Sequence, residues 1–486
     1  MQNKFYPPRL LRLCFFSCFC AFLSGCISVG PDYTAPKLPG PDFRASGLNG
    51  YDNATADPRM LARWWDNFGD DMLVSCVTRA LEGSRDMRAA VARVRAARAE
   101  LTGVRSDLFP KVGSSADLAR TGTGKYSGNG SYTNMYRAAL DASWEIDIFG
   151  GTRRAVEAAR AGLEAEEAAL HDVWRIVAAE VALNYIEIRT FQRRLQVARK
   201  NLKAQEETLD ILNSRYTVGL TDALDVSQAR YNMESTRSAI PLLQAGLESS
   251  LNSLAVMVGE EPGSLHARFG TVHPIPVPAN TAVGDIHADA LRRRPDIRRA
   301  ERRVAAESAR IGEAVAMLYP KFSLSGFFGT AAARSTNLFS SGADTRSIVP
   351  GVVWPVFRAG ELASRVRAQT AVKEQYLAVY EKTVLSAVAE VRDALSAYVR
   401  EKQRVGSLQS AVAAADEAVS IAQDKYSSGL TDFNNVLDAQ RSLLALEEDL
   451  AVSQGNTSSY MVTIYKTVGG GWAPFATDSG VQAAAE

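Results

Sequence analysis

The sequence predicts an α+β membrane protein made of one unit used twice, each copy joining a long coiled-coil helical hairpin to two strands able to cross a bilayer. Three observations in the 486 residues predict it: an internal repeat at a fixed offset, heptad spacing far beyond ordinary helix lengths, and two stretches per copy with period-two alternation.

The repeat comes first because it sets the frame for everything else. Leu108-Phe109-Pro110-Lys111 recurs as Leu318-Tyr319-Pro320-Lys321, an offset of 320 − 110 = 210. The same offset carries Asp86 to Asp296, Trp144 to Trp354, and Glu180 to Glu390. It also carries Tyr216-x-x-Gly219-Leu220-Thr221-Asp222 to Tyr426-x-x-Gly429-Leu430-Thr431-Asp432. The units run over 80–259 and 290–469, with a linker over 260–289 that holds Pro262, Gly270, Pro274, Pro276 and Pro278. A flexible C-terminal tail over 470–486 is expected.

Residues 1–25 read as a secretory signal: Lys4, Arg9 and Arg12, then an apolar run from Leu13 to Leu23, then small residues. Leu23-Ser24-Gly25-Cys26 resembles a lipobox, which implies cleavage before Cys26 and a covalent S-diacylglycerol and N-acyl lipid on it. A lipidated N-terminal segment, 26–79, would follow, and Ile27 in place of aspartate favours the outer membrane. Cys14, Cys18 and Cys20 leave with the signal, so Cys76 has no intrachain disulfide partner. The chain carries 55 Lys+Arg against 54 Asp+Glu, a balance unsuited to nucleic-acid binding.

Within each copy a helix of about 25 residues opens at Ser84 or Pro295 and stops before Pro110 or Pro320. Strands follow over 111–121 and 135–147 in the first copy, and over 321–331 and 345–357 in the second. Tyr136, Ala138, Leu140, Ala142, Trp144 and Ile146 form one face, continued by Ile348, Pro350, Val352, Trp354 and Val356. Next comes Thr152 to Tyr216, proline-free, which as one helix is about 97 Å long. Its seam runs Leu170, Trp174, Val177, Val181, Asn184, Ile188, Phe191, Leu195, Ala198, Leu202, Gln205, Leu209, Leu212 and Tyr216, and the copy repeats it from Tyr380 to Tyr426. Gly219 and Gly429 suit the left-handed C′ position, and Thr-Asp after each suits a cap for the returning helix, which Pro241 is expected to kink. The hairpins thus span 152–258 and 360–467, with ends at 218–222 and 428–432. Four strands cannot close a barrel, so closure requires several chains.

With these elements in place the chain resembles the TolC-like outer-membrane efflux channels, in the NodT or OprM-type lipoprotein branch. The likeness rests on Val29-Gly30-Pro31-Asp32-Tyr33, Trp64-Trp65-Asp66-x-Phe68-Gly69-Asp70, Trp144-Glu145-Ile146-Asp147-x-Phe149-Gly150 and Val436-Leu437-Asp438-Ala439-Gln440-Arg441, in that order on the duplicated frame. It implies a homotrimer with a 12-stranded β-barrel and a 12-helix periplasmic α-barrel. The trimer would be the exit duct of a tripartite system with a periplasmic membrane-fusion adaptor and an inner-membrane pump of RND type. It carries adaptor docking to Val218, Gly219, Leu220 and Thr221 and to Ser428, Gly429, Leu430 and Thr431. It carries a periplasmic gate to Asp225, Tyr426, Asn435 and Asp438; Asn435 and Thr431 depart from an aspartate and an arginine found in some relatives.

Other chemistry is not encoded. His171, His266, His273 and His287 lack zinc spacing, and Gly122-Thr123-Gly124-Lys125 lacks the first glycine and the Ser/Thr of a phosphate loop. No enzyme and no cofactor are expected. The basic run Arg292 to Arg299 reads as a solvated or inter-subunit helix face. A lipid-anchored coiled-coil scaffold explains the heptads but not the paired strands, and an envelope hydrolase lacks a nucleophile and base.

Overall fold

The computed structural model describes residues 28–36, 61–126, 130–279 and 293–471. The expected signal, Cys26 and nearly all of the C-terminal tail lie outside the described residues, as does part of the linker. After a 3₁₀ turn at Trp64–Phe68 come α1 (Asp71–Gly83), α2 (Arg85–Ser106), β1 (Lys111–Gly122), β2 (Tyr132–Ile146), α3 (Gly151–Thr217) and α4 (Ala223–Val258). The second copy repeats the order as α5 (Pro295–Ala316), β3 (Lys321–Ala332), β4 (Asp344–Val353), α6 (Glu361–Ser427) and α7 (Phe433–Thr467). Both long helices, α3 and α6, have 67 residues. No described helix is long and apolar enough to cross a membrane.

The contacts divide the chain into two compact units. The first contains the sheet, an antiparallel β1-β2-β3-β4 order in which β2 and β3 join the two copies from Tyr136↔Ala332 to Ile146↔Phe322. Pleating sorts its residues onto two faces. One bears Lys111, Asp117, Arg137, Asp141, Glu145 and Lys321; the Asp141 carboxylate takes the Ser115 hydroxyl at 2.5 Å, and Lys321 Nζ lies 2.9 Å from Glu145. The other bears Val112, Leu118, Leu140, Phe322, Leu324, Phe328, Ile348 and Val352.

At the helix-strand junctions the indoles of Trp144 and Trp354 donate to the carbonyls of Leu108 and Leu318, at 3.0 and 3.1 Å. Trp354 does this from outside the sheet: β4 stops at Val353 and does not continue through Val356 as the alternation suggested. Val353 pairs with Lys321, the first residue of β3, so no partner remains beyond it, and Pro355 lacks the N–H a ladder needs. Residues 28–36 form a strap on this unit. Val29 N–H donates to Phe149 O at 3.1 Å, buried Arg154 reaches Asp32 at 2.7 Å, and the Tyr33 hydroxyl donates to Glu301 at 3.0 Å. Gly30 lies so close to Gly312 that a Cβ would sit 2.4 Å from its Cα.

The second unit holds most of the length of the four hairpin helices. Arg237 of α4 bonds Glu206 of α3, Lys200 of α3 bonds Glu447 of α7, and Arg404 of α6 approaches Asp449 of α7, at 2.9, 3.0 and 3.8 Å. These pairs join α4 to α3, α3 to α7 and α7 to α6, and Arg441 of α7 also donates to Asn232 of α4 at 2.9 Å. The α3 seam is buried at Leu195, Ala198, Gln205, Leu209 and Leu212, whereas the α6 seam beyond Tyr398 is only half-buried. The helix α4 runs unbroken through Pro241.

Beneath α1, Trp64 stacks on Tyr465 at 5.4 Å, Asp70 caps α1 through the amides of Met72 and Leu73, and the Tyr185 hydroxyl donates to Asp70 at 2.7 Å. Cys76 is buried here, and burial pushes its thiol up to about 11, leaving it un-ionised at neutral pH.

The basic run corrects one expectation. Arg294 is not a solvated residue: it is 1% exposed, bonded to both Asp296 carboxylate oxygens at 3.1 and 2.7 Å, to Glu390 at 2.8 Å and to Thr467 O at 2.8 Å. Arg175, also buried, bonds Lys466 O and Asp172. Two guanidiniums thus satisfy the terminal carbonyls of α7, where a cation also suits the helix dipole.

Candidate functional site at the hairpin ends

Each long helix ends in the same way because each carries glycine at the same place. Gly219 and Gly429 take φ of 74° and 72°, a region costly for any residue with a Cβ. The turn is closed by Gly219 N–H to Tyr216 O and Leu220 N–H to Arg215 O, at 3.0 and 2.9 Å, and by the matching pair Gly429 to Tyr426 and Leu430 to Lys425, at 3.1 and 2.8 Å. This Schellman geometry leaves Val218, Leu220 and Leu430 exposed.

The returning helices start differently. Asp222 caps α4 by accepting from Asp225 N–H at 2.9 Å, whereas Asp432 makes no side-chain cap and only its carbonyl takes Asn435 N–H, at 3.2 Å. Asp222→Ala is therefore expected to destabilise by about 1 kcal/mol, and Asp432→Ala by much less. Thermal melts of the two variants side by side check this, and equal losses would refute the asymmetry.

Thr221, Asp225 and Tyr426 are brought together. The Thr221 hydroxyl donates to Asp225 at 2.5 Å and lies 3.3 Å from the Tyr426 hydroxyl, so the first hairpin is tied to the second within one chain. Tyr426 is held in turn by the Arg215 guanidinium, 5.1 Å above its ring, and by the Phe433 ring at 5.3 Å. Beneath it Leu209, Leu212, Val226, Met233, Phe433, Val436 and Leu437 form a buried cluster shared by both hairpins. At the equivalent place in the second copy Asn435 donates to Thr431 at 2.6 Å, so amide replaces carboxylate in the same local bond.

Asp438 is not part of this group. Its side chain is 77% exposed, and Arg441 Nη1 stands 3.9 Å from it. Arg441 itself stacks on the Tyr231 ring at 4.9 Å, bonds the Tyr231 hydroxyl, and donates to Asn232 at 2.9 Å. Sequence reading missed Arg215 and Arg441. The offset held a signal for the second, since Gln228 stands opposite Asp438 and Tyr231 opposite Arg441: the copies differ in charge at both places.

The chain can therefore present two small apolar ends joined by a tyrosine link, with carboxylates beside them, and, in its other unit, a sheet that is apolar on one face. Comparison with known proteins agrees with this architecture. The family model described as "Outer membrane efflux protein" matches residues 76–260 and 287–470, one match per copy. The chain is 28% identical over 454 residues to the probable outer membrane lipoprotein SilC of Salmonella typhimurium, covering 93% of this chain and 96% of SilC. It is 31% identical over 462 residues to the solvent efflux pump outer membrane protein SrpC of Pseudomonas putida, covering 93% and 96%. The solved outer-membrane channel OprN superposes with a TM-score of 0.85 at 35% identity, over 92% of this chain and 99% of that one. With a family match in each repeat, a sheet of membrane-length strands and two equivalent hairpin ends, the chain belongs to the outer membrane efflux protein family and is an efflux channel of the outer membrane.

Proposed function

We propose that three copies of this chain form the exit duct that receives drugs, solvents or similar small molecules from an inner-membrane pump of RND type through a periplasmic membrane-fusion adaptor. The observation that carries this reading is the sheet: β1 and β4 each pair on one side only among the described residues, so closure needs strands from other chains. Four strands from each of three chains make twelve, the number the family likeness implies. The helices support the same reading, because α6 leaves its seam half-covered while α3 buries the equivalent positions.

In such a trimer the exposed ends Val218 to Thr221 and Ser428 to Thr431 make six docking tips for the adaptor. Asp438 supplies a ring of three carboxylates that repel one another and attract cations at the periplasmic gate. Asp225 and Tyr426 act beside it through the Thr221 link, with Asn435 as the uncharged counterpart. The lipid on Cys26 would anchor the chain three residues before Val29, where the strap is pinned to Phe149. Cargo is selected upstream, since a duct shared by many molecules has little need to bind any of them.

Reconstitution in planar bilayers tests the reading. The purified chain should give single-channel currents, and Asp438→Asn should raise conductance or weaken block by divalent cations. Absence of currents would sink the channel reading, and unchanged conductance and block would remove Asp438 from the gate.

A further inference from the structure

The apolar face of the sheet carries charge only at one end. Along β1 and β2 the residues on this face are Val112, Ser114, Ala116, Leu118 and Arg120, then Tyr132, Asn134, Tyr136, Ala138, Leu140, Ala142, Trp144 and Ile146. On β3 and β4 they include Phe322, Leu324, Phe328 and Thr330, then Asp344, Arg346, Ile348, Pro350 and Val352. Among the described residues Arg120 and Arg346 are thus the only cations on it, and Asp344 the only acid. Both arginines are exposed, and both lie toward the end remote from the helices, which is the external end of a strand in this family.

The repeat places them near one level. Arg346 is the equivalent of Tyr136, whose β1 partner is Leu118, and Arg120 is two residues further out, about 7 Å along the strand. Tyr136 and Trp144 are eight residues apart, about 26 Å before tilt, which matches the apolar band of an outer-membrane barrel. Two guanidiniums therefore sit where that band gives way to headgroups. Arg120 is held over the Tyr132 ring at 4.9 Å, in the amphipathic aromatic position typical of this boundary. The opposite face treats its charges differently: Arg137 is paired with Asp141 at 3.3 Å and Lys321 with Glu145 at 2.9 Å. Among the described residues neither Arg120 nor Arg346 has an ion-pair partner, although exposed Asp344 shares the face of Arg346. A membrane-facing guanidinium left without a protein carboxylate is matched by an anion of the surrounding layer, and its planar donor fork fits phosphate in particular.

We propose that Arg120 and Arg346 form a phosphate-binding rim on the membrane-facing side of the barrel, and that its occupant is the phosphorylated glycolipid of the outer leaflet. The rim ties the external end of the strands to the lipid around them. It lies on the opposite face of the sheet from the charged residues and takes no part in conduction.

The test uses the full-length channel in neutral detergent, with thermal stability followed as lipid A is added and compared with its dephosphorylated form, phosphatidylglycerol and phosphatidylcholine. Wild type should be stabilised by lipid A and not by dephosphorylated lipid A or phosphatidylcholine. The shift should shrink in Arg120→Gln and in Arg346→Gln, vanish in the double variant, and persist in Arg120→Lys/Arg346→Lys, with single-channel conductance unchanged throughout. An undiminished shift in the double Gln variant overturns the rim. An equal shift with phosphatidylglycerol overturns the glycolipid as its occupant, and a shift abolished by free inorganic phosphate at moderate concentration overturns a lipid occupant altogether.

Discussion

Arg294→Ala is expected to destabilise the folded chain by roughly 3–5 kcal/mol, the cost of removing one partner from a buried ion pair. The side chain is 1% exposed, and every group it bonds would lose a partner at once: Asp296, Glu390 and the last carbonyl of α7. Arg175 would not compensate, because its Nη1 is used on Lys466 O and it stands 3.7 Å from Asp296. The effect should depend on pH. Burial raises the Asp296 pKa, but the hydrogen bonds and charge of Arg294, with the charge of Arg175, outweigh it and hold the carboxyl below its usual range. A carboxyl depressed in the folded state stabilises above its unfolded pKa, about 3.9, and that stability is lost as pH falls through the lower folded value. The gap between wild type and Arg294→Ala is thus widest at neutral pH and narrows below about pH 4. Thermal unfolding in detergent across this range checks both statements. A loss under about 1 kcal/mol at neutral pH, the size expected of an exposed pair, would show that the network is not the structural tie described here.

Why this network was invisible in sequence, while the fold was not, follows from the kinds of contact involved. Heptads and alternation are local periodicities, so Leu195, Leu209 and Leu212 declared their burial and Tyr136 to Ile146 their two faces. The 210-residue offset doubled each signal, and glycine at 219 and 429 marked the only positions where the hairpin ends need positive φ. Buried charge has no such period. Arg294 stands in a run of basic residues that looks solvated, and only the return of α7 across 173 residues of sequence brings the Thr467 carbonyl that buries it. The same limit applies at the hairpin ends. Thr221 and Asp225 are four residues apart and readable, but their meeting with Tyr426 spans 205 residues, and Arg441 finds Tyr231 across 210. The end of β4 was misplaced for another reason. Side-chain alternation continues through Trp354 and Val356, but a strand lasts only as long as its neighbour, and β3 begins at Lys321.

Placing carboxylates at both hairpin ends, as Leu220→Asp/Leu430→Asp, is expected to abolish efflux while leaving the channel folded and conducting. Leu220 and Leu430 are 70% and 76% exposed, so their replacement costs little within the chain. Nothing lies within 4 Å of a Cβ built on Gly219 or Gly429 either, so these turns are open surface. Exposed leucines held at the apex of two rigid turns have the character of an anchor awaiting a partner. Burial of one leucine is worth roughly 1.5–3 kcal/mol, and the proposed trimer would offer six of them to an adaptor, so aspartate at all six would remove the apolar gain and add a desolvation cost at each. Either single variant keeps half of the anchors and should show intermediate sensitivity. A deletion strain complemented with each variant and challenged with antibiotics, dyes and solvents reads the loss, and single-channel current in planar bilayers reads the pore. Full resistance with the double variant would mean that the adaptor docks elsewhere. Lost conductance together with lost efflux would mean that these leucines serve the fold of the hairpin ends and not their recognition.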